Sequence, residues 1–401
     1  MRKTLFLAFM AMALTANAET ETPVTTQEAP QEAPKPAPKK WYESIKFSGY
    51  GMLQYIGSDK YGSDVITNPD GTKEVVPVKD PDNSFNLRLV RFIIDAKIYD
   101  FDVRAQIQGT NAKGPGEPTV QLVDLYAEWV KYKEFRVRVG QFKRAFTFEN
   151  PTHPITQGWR GYADVINNLS GNGDRTGEKS SGGRDIGIQV QGDVLPNANE
   201  RPLLHYQVGV YNGEGVNQKD QDNCKDIIGG VWVMPIKGLR IGAFGWTGTR
   251  GSMVVGSHPD PITGAKVDDL ASVRKNRYAL SAEYNLNEYT FRAEYLHSQG
   301  WGAAKAGNNV RAVDYSLGDK ADGWYVFGIV PVIKSKLHAK ARYQCYRDNK
   351  HWDRAKTSYE IGLNYFFTKN LELHVEYARV NDRSLLRHNY NLFDAEFDFR
   401  F

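Results

Sequence analysis

The sequence predicts an all-β fold, a transmembrane antiparallel β-barrel of about sixteen strands with short periplasmic turns and long extracellular loops. Three observations predict it. Strand-length segments from Ile45 to Phe401 alternate apolar and polar residues with a period of two, so each has a greasy and a charged face. The connections between them sort strictly into short and long. A secretory signal opens the chain. A soluble sandwich has no reason to sort its loops, whereas an outer-membrane barrel does.

Arg2 and Lys3 precede an apolar run, Leu5 to Leu14, and then Ala16-Asn17-Ala18. This is a signal peptide, residues 1–18, and its apolar run is too short to span a membrane as a helix. No cysteine follows the expected cut, so no lipid anchor is expected there. Residues 19–40 are Thr, Glu, Pro, Ala and Lys, a composition that cannot bury a core and reads as a disordered periplasmic tether. Residues 41–401 form the barrel. The mean hydropathy of the whole 401-residue chain, −0.53, fits a barrel, because half of each strand faces water. The formal net charge of +4 gives no case for nucleic acid. Cys224 and Cys345 fall near strand tops, where a disulfide is conceivable but little supports it.

The strands follow in order. Ile45 to Tyr55 alternates cleanly. The next begins at Phe85, Leu87 and Leu89, and its phase breaks near Val90 and Arg91, where a bulge would restore it. Val103, Ala105 and Ile107 lead into the hairpin from Thr119 to Glu149, where Arg136 and Arg138 oppose Phe135, Val137 and Val139. Further segments carry Ile186, Val208, Val231, Ile241, Leu280, Ala293, Val326, Ala341, Ile361 and Val375. The last runs from Phe393 to Phe401. Short turns lie at Asp100, Lys133, Pro235, Asn287, Pro331 and Lys369. The long connections include 57–83, 110–118, 143–182, 250–274 and 299–320. Phe135, Tyr284, Tyr365 and Phe399 collect at one rim and Tyr295, Tyr343, Tyr377 and Phe393 at the other, as two aromatic girdles require. The terminal Phe401 is similar to the closing signal of outer-membrane proteins.

Gly140-Gln141-Phe142-Lys143 at the mouth of the longest loop, followed by Phe146 and Glu149, resembles the phosphate-selective porin O and P family. So do Arg88 and Arg91 on the second strand and the segment from Gly209 to Gly215. Ala145 stands where that family usually has proline. The resemblance covers the barrel, and it implies a sixteen-strand trimeric porin with a basic constriction.

The water-facing register carries nearly balanced charge, but the signs segregate. The second to fifth and the thirteenth strands are basic, and the last two are acidic. Rings of Arg and Lys are what an anion or phosphate pore needs. The loop 143–182 lacks evident secondary structure, is long enough to be functional, and is the expected constriction. Arg88, Arg104, Arg136, Arg138, Lys143, Arg144 and Arg160 are the candidate pore-lining, anion-binding residues; Trp159 and Tyr162 could equally guide a sugar. No nucleophile elbow or H-E-x-x-H motif is present, so no enzyme, cofactor or metal is expected. Asp220, Asp222, Asn223 and Asp226 lack the spacing of an EF-hand and read as a solvated loop tip. The expected function is passive diffusion of small hydrophilic solutes, anions including phosphate, through a homotrimer in outer-membrane lipid. The alternatives are a general or saccharide-permeable pore, or an adhesive surface barrel with a blocked lumen.

Overall fold

The structure, a computed structural model, describes residues 41–68, 70, 72–111, 119–171, 173–178, 182–303 and 312–401. The expected signal peptide and tether (1–40), most of the loop 110–118 and Lys179 lie outside them.

Sixteen antiparallel strands close into one barrel. They are β1 (Lys46–Ser58), β2 (Asn83–Ile98), β3 (Phe101–Gly109), β4 (Val120–Trp129), β5 (Arg136–Lys143), β6 (Arg184–Pro196), β7 (Pro202–Tyr211) and β8 (Asp226–Val233). Then come β9 (Leu239–Thr247), β10 (Asn276–Leu286), β11 (Tyr289–Gln299), β12 (Lys320–Ile333), β13 (Leu337–Arg347), β14 (Lys356–Thr368), β15 (Leu371–Asp382) and β16 (Asn389–Arg400). The expected strand number and loop sorting both hold. Each strand pairs with its sequence neighbours, and β1 pairs with β16 to leave no free edge, which is what backbone groups in hydrocarbon require.

Burial is inverted relative to a soluble protein. Phe47, Leu125, Val139 and Ile361 are 76%, 50%, 52% and 61% exposed on the outside, while Arg277 and Glu294 are 4% and 2% exposed on the inside. The outer belt faces lipid and the charged face lines the lumen.

Three details differ from expectation, and the state of the two cysteines answers a point the sequence left open. The bulge lies two residues earlier than Val90: Met52 pairs with Leu89 and Leu53 with Leu87, so Arg88 is the extra residue. Leu89 is thereby turned into the lumen, where it packs with Tyr50, Met52 and Ile93. Three long connections carry their own paired strands: Tyr61–Thr67 with Lys73–Lys79, Thr249–Pro259 with Lys266–Arg274, and Gly302–Ala303 with Val313–Asp314. Cys224 and Cys345 are both free. Asp226 is buried in a 2.6 Å ion pair with Lys275, and is no part of a solvated loop tip.

The barrel seam uses the terminal residue. Gly49 and Phe401 exchange two backbone hydrogen bonds, both 3.0 Å. The Phe401 ring lies over Gly49, and Phe399 lies over Gly51; a Cβ at position 49 would collide with that ring and with the Arg91 carbonyl. Gly49→Val is therefore expected to cost about 1–3 kcal/mol of overpacking at the seam. Phe401→Ala removes the same contact from the other side. Both variants should yield less heat-modifiable barrel on unheated gels of cell envelopes. Wild-type yield of Gly49→Val would refute the close packing.

Candidate functional site

The loop between β5 and β6 is not irregular throughout. It holds two short helices, α1 (Pro154–Gln157) and α2 (Asp164–Leu169). Proline at the first position of α1 has the φ a helix needs, and Gly158 ends it at φ 71°. Val165, Ile166 and Leu169 of α2 are buried.

The loop lies inside the barrel, and its apolar side has an apolar wall to meet. Phe146, Phe148, Trp159, Ala163 and the buried face of α2 pack on Phe244 and Trp246 of β9, Ala279 of β10, Leu296 of β11 and Tyr325 and Phe327 of β12. Ile155 packs on the Tyr50–Leu89 cluster across the lumen.

Charged wall side chains satisfy the loop's backbone. Arg400 donates to the Ile155 carbonyl at 2.8 Å, Lys340 to Gly158 at 2.7 Å, Arg342 to Gly161 at 2.9 Å and Arg277 to Leu169 at 2.8 Å. In the other direction the Phe148 N–H donates to Glu294 at 2.5 Å and the Arg160 N–H to Glu376 at 2.9 Å. Leaving such buried groups unpaired would cost about 1–3 kcal/mol each. Lumen charges of β10 to β16 that the sequence assigns to water thus hold the loop.

The opposite wall, β3 to β9, borders a cavity of about 320 Å³ beside the first residues of the loop. Its cationic lining is Arg104, Arg136, Arg138, Lys143, Arg144, Arg184 and Arg240, against one carboxylate, Asp124, among the described residues. Five of the seven candidates are brought together there. Arg88 is not: it pairs with Glu396 of β16 at 2.5 Å. Nor is Arg160, whose guanidinium lies 3.9 Å from Glu360 of β14. Arg184, Arg240, His153, His205 and Trp232 line the cavity without having been candidates. Arg240 had a signal, its place in the water-facing register. Arg184 follows the loop directly and is held on this side by Asp124 of β4, at 2.6 and 3.1 Å.

The arginines have a common arrangement. Arg104 is bound by Asp95, Arg138 by Glu128 and Arg240 by Glu283, through Nε and Nη2. Among the described residues no protein acceptor is bonded to Nη1 of these three. The partner carboxylates are absent from the cavity lining; Glu128 and Glu283 lie shielded behind their arginines, whereas Asp95 is itself 38% exposed. Rings back two of them: Arg138 lies 4.6 Å from the Tyr126 centroid and Arg240 4.0 Å from that of Phe148. His205 is stacked on Trp232 at 3.9 Å. Lys143 differs, because its Nζ donates to the carbonyls of Asn150 at 2.6 Å and Thr152 at 2.9 Å and to the Tyr162 hydroxyl at 2.6 Å. Its acceptors are all uncharged. Arg144 is fully buried, with Glu178 and Asp185 on its guanidinium.

His153 reports the resulting field. Burial, then the charges of Lys143, Arg91, Arg184 and Arg104, push its pKa from 6.5 down to about 3. A depressed histidine pKa favours the docked loop fully above 6.5, and that contribution fades as pH falls toward 3. The imidazole therefore stays neutral at pH 7 and adds no positive charge to the cavity between pH 7 and 4. His153→Gln should leave the pH dependence of ion selectivity over that range unchanged. Loss of a titrating component centred near 6.5 in the variant would contradict this.

A family model for Gram-negative porins matches residues 262–385, from the external hairpin to just beyond β15. No curated protein matches the sequence. Among solved structures, OmpF of Salmonella typhi in complex with daunomycin superposes with a TM-score of 0.57 at 11% identity, covering 90% of this chain and 99% of that one. An anion-selective porin from Comamonas acidovorans gives 0.56 at 10% identity, covering 89% and 99%. OprB of Pseudomonas putida gives 0.55 at 10%, covering 90% and 95%. At these identities the likeness is one of fold, the outer-membrane porin barrel. The chain is a porin-like barrel of the outer membrane.

Proposed function

We propose that this barrel passes small hydrophilic anions, phosphate among them, by passive diffusion and with no chemical step. The observation that carries the reading is the cavity beside the constriction loop, lined by seven cationic side chains and one carboxylate among the described residues. Close to a low-dielectric wall, such charges raise the local anion concentration more than they would in bulk water. Free guanidinium N–H groups on Arg104, Arg138 and Arg240 suit oxyanions, which accept several charge-assisted bonds at once; chloride cannot match a bidentate pair. Several moderate sites also suit conduction better than one tight site. The phosphate element rests further on the resemblance of the segment Gly140 to Glu149. The homotrimer rests on that resemblance alone.

Tyr126 and Trp232 on the same cavity favour the saccharide reading, since aromatic faces can guide a sugar ring. One experiment separates the readings. The purified protein is placed in planar bilayers under a potassium chloride gradient, and the reversal potential is measured with and without phosphate. Anion preference with phosphate block of the chloride current supports the proposal. Anion preference without block leaves a general anion pore, cation preference rejects the proposal, and no conductance at all favours a blocked surface barrel.

A further inference from the structure

Arg175 lies in the return half of the constriction loop and is 6% exposed. Among the described residues its guanidinium bonds only backbone carbonyls: Gly300 at 3.0 Å, Leu317 at 2.7 Å, Gly318 at 3.0 Å and Asp348 at 2.9 Å. These carbonyls belong to two external connections, β11 to β12 and β13 to β14. The contact is reciprocal, because the Ala303 N–H donates to the Arg175 carbonyl at 2.6 Å. Among the described residues no carboxylate is in bonding contact with this buried cation, which is held by neutral dipoles from separate loops. It stays buried only while all those carbonyls keep their positions.

The neighbouring residues tie the same segment downward. Asp174 makes a bidentate pair with Arg277 of β10, and Glu178 does so with Arg144 at the start of the loop. Upward, the connection from β11 to β12 bonds the external hairpin Thr249–Pro259 with Lys266–Arg274. Val254 bridges Ala312, and the Tyr315 hydroxyl donates to the Val255 carbonyl at 2.9 Å. A continuous set of bonded contacts therefore runs from the outermost hairpin through Arg175 to the constriction loop.

We propose that Arg175 is a positioning residue through which the external loops set the place of the constriction loop, so that displacing the outer hairpin shifts the constriction. Continuity of contacts alone does not establish coupling; a cycle of single and double changes does.

The test reads loop position directly, whatever the channel conducts. In a full-length barrel with Cys224→Ser and Cys345→Ala, the exposed loop position is marked by Thr156→Cys, and its labelling rate with a membrane-impermeant thiol reagent is measured. Arg175→Gln should raise that rate by about twofold to thirtyfold, the range of ordinary coupling energies. Replacing residues 251–272 of the hairpin with a tight turn should raise it in the parent but add nothing in the Arg175→Gln background. Equal effects of the deletion in both backgrounds, or no change with Arg175→Gln, would overturn the proposal. Should Arg175→Gln fail to assemble, Arg175→Lys keeps the charge but loses most of the four bonds, and the same cycle applies with the same outcomes.

Discussion

Replacing Arg136 and Lys143 with glutamate in one chain is expected to lower the anion-to-cation permeability ratio at least about tenfold. Each exchange moves the cavity by two charge units. Arg136 is paired with Asp193 at 2.9 Å, so a glutamate there faces a second carboxylate and makes that wall acidic. Lys143 has only uncharged acceptors, so its field is not offset by a partner in contact. It also ties residues 150, 152 and 162 together, and a change there can move the loop. Lys143→Gln separates the two effects, because it removes the tie without adding negative charge. The difference between the glutamine and glutamate variants in reversal potential then measures charge alone. Phosphate inhibition should weaken in step. An unaltered ratio in the double variant, with the barrel still heat-modifiable, would remove this cavity from the permeation path.

Arg144→Ala is expected to release the constriction loop while the barrel stands. The Arg144 guanidinium is wholly buried, bidentate to Glu178 at 2.6 and 3.0 Å and bonded to Asp185 at 3.0 Å. Its planar face lies 4.9 Å from the Trp246 centroid. Gly171, at φ 92°, passes so close that a Cβ would strike the guanidinium. Deleting the side chain leaves two buried carboxylates without their principal partner, at a cost of about 3–5 kcal/mol. That penalty falls on the loop and its root at β6, while the barrel is held by backbone ladders that do not involve Arg144. Larger and noisier single-channel conductance should follow, with faster proteolysis within residues 143–182 and retained heat-modifiability. Unchanged conductance together with unchanged proteolysis would show that other ties suffice.

Much of the constriction was within reach of sequence reasoning through a signal of a different kind. On β9 to β12 the lumen register carries Phe244, Trp246, Ala279, Leu296, Ala321, Gly323, Tyr325 and Phe327, where a water-filled pore would place polar side chains. That lapse in alternation marks the strip on which the loop docks. At Gly323 a Cβ would press on Val165 of α2, so the small residue there is a packing requirement. Arg277, Lys340 and Arg342 show the opposite case. Their register, inward, was legible. Their use was not, because a side chain bonding a carbonyl of residue 158, 161 or 169 depends on where a remote loop lands.

By itself the sequence determined the barrel, its strand number, the lipid-facing belt and the short and long rims. All of these follow from local rules: side chains alternate along a strand, and connections must match the water or membrane they face. Only the tertiary structure decided which lumen charges are left for a solute. The same arginine and lysine types that line the cavity on β3 to β9 bond backbone carbonyls along β10 to β16, and Arg88 and Arg160 lie beside carboxylates of β16 and β14. The physical reason is that a loop buried in a lumen must have its carbonyls and N–H groups satisfied by whatever wall it reaches. Which carbonyl each charge meets depends on contacts between residues more than a hundred positions apart, and no local pattern encodes those partners.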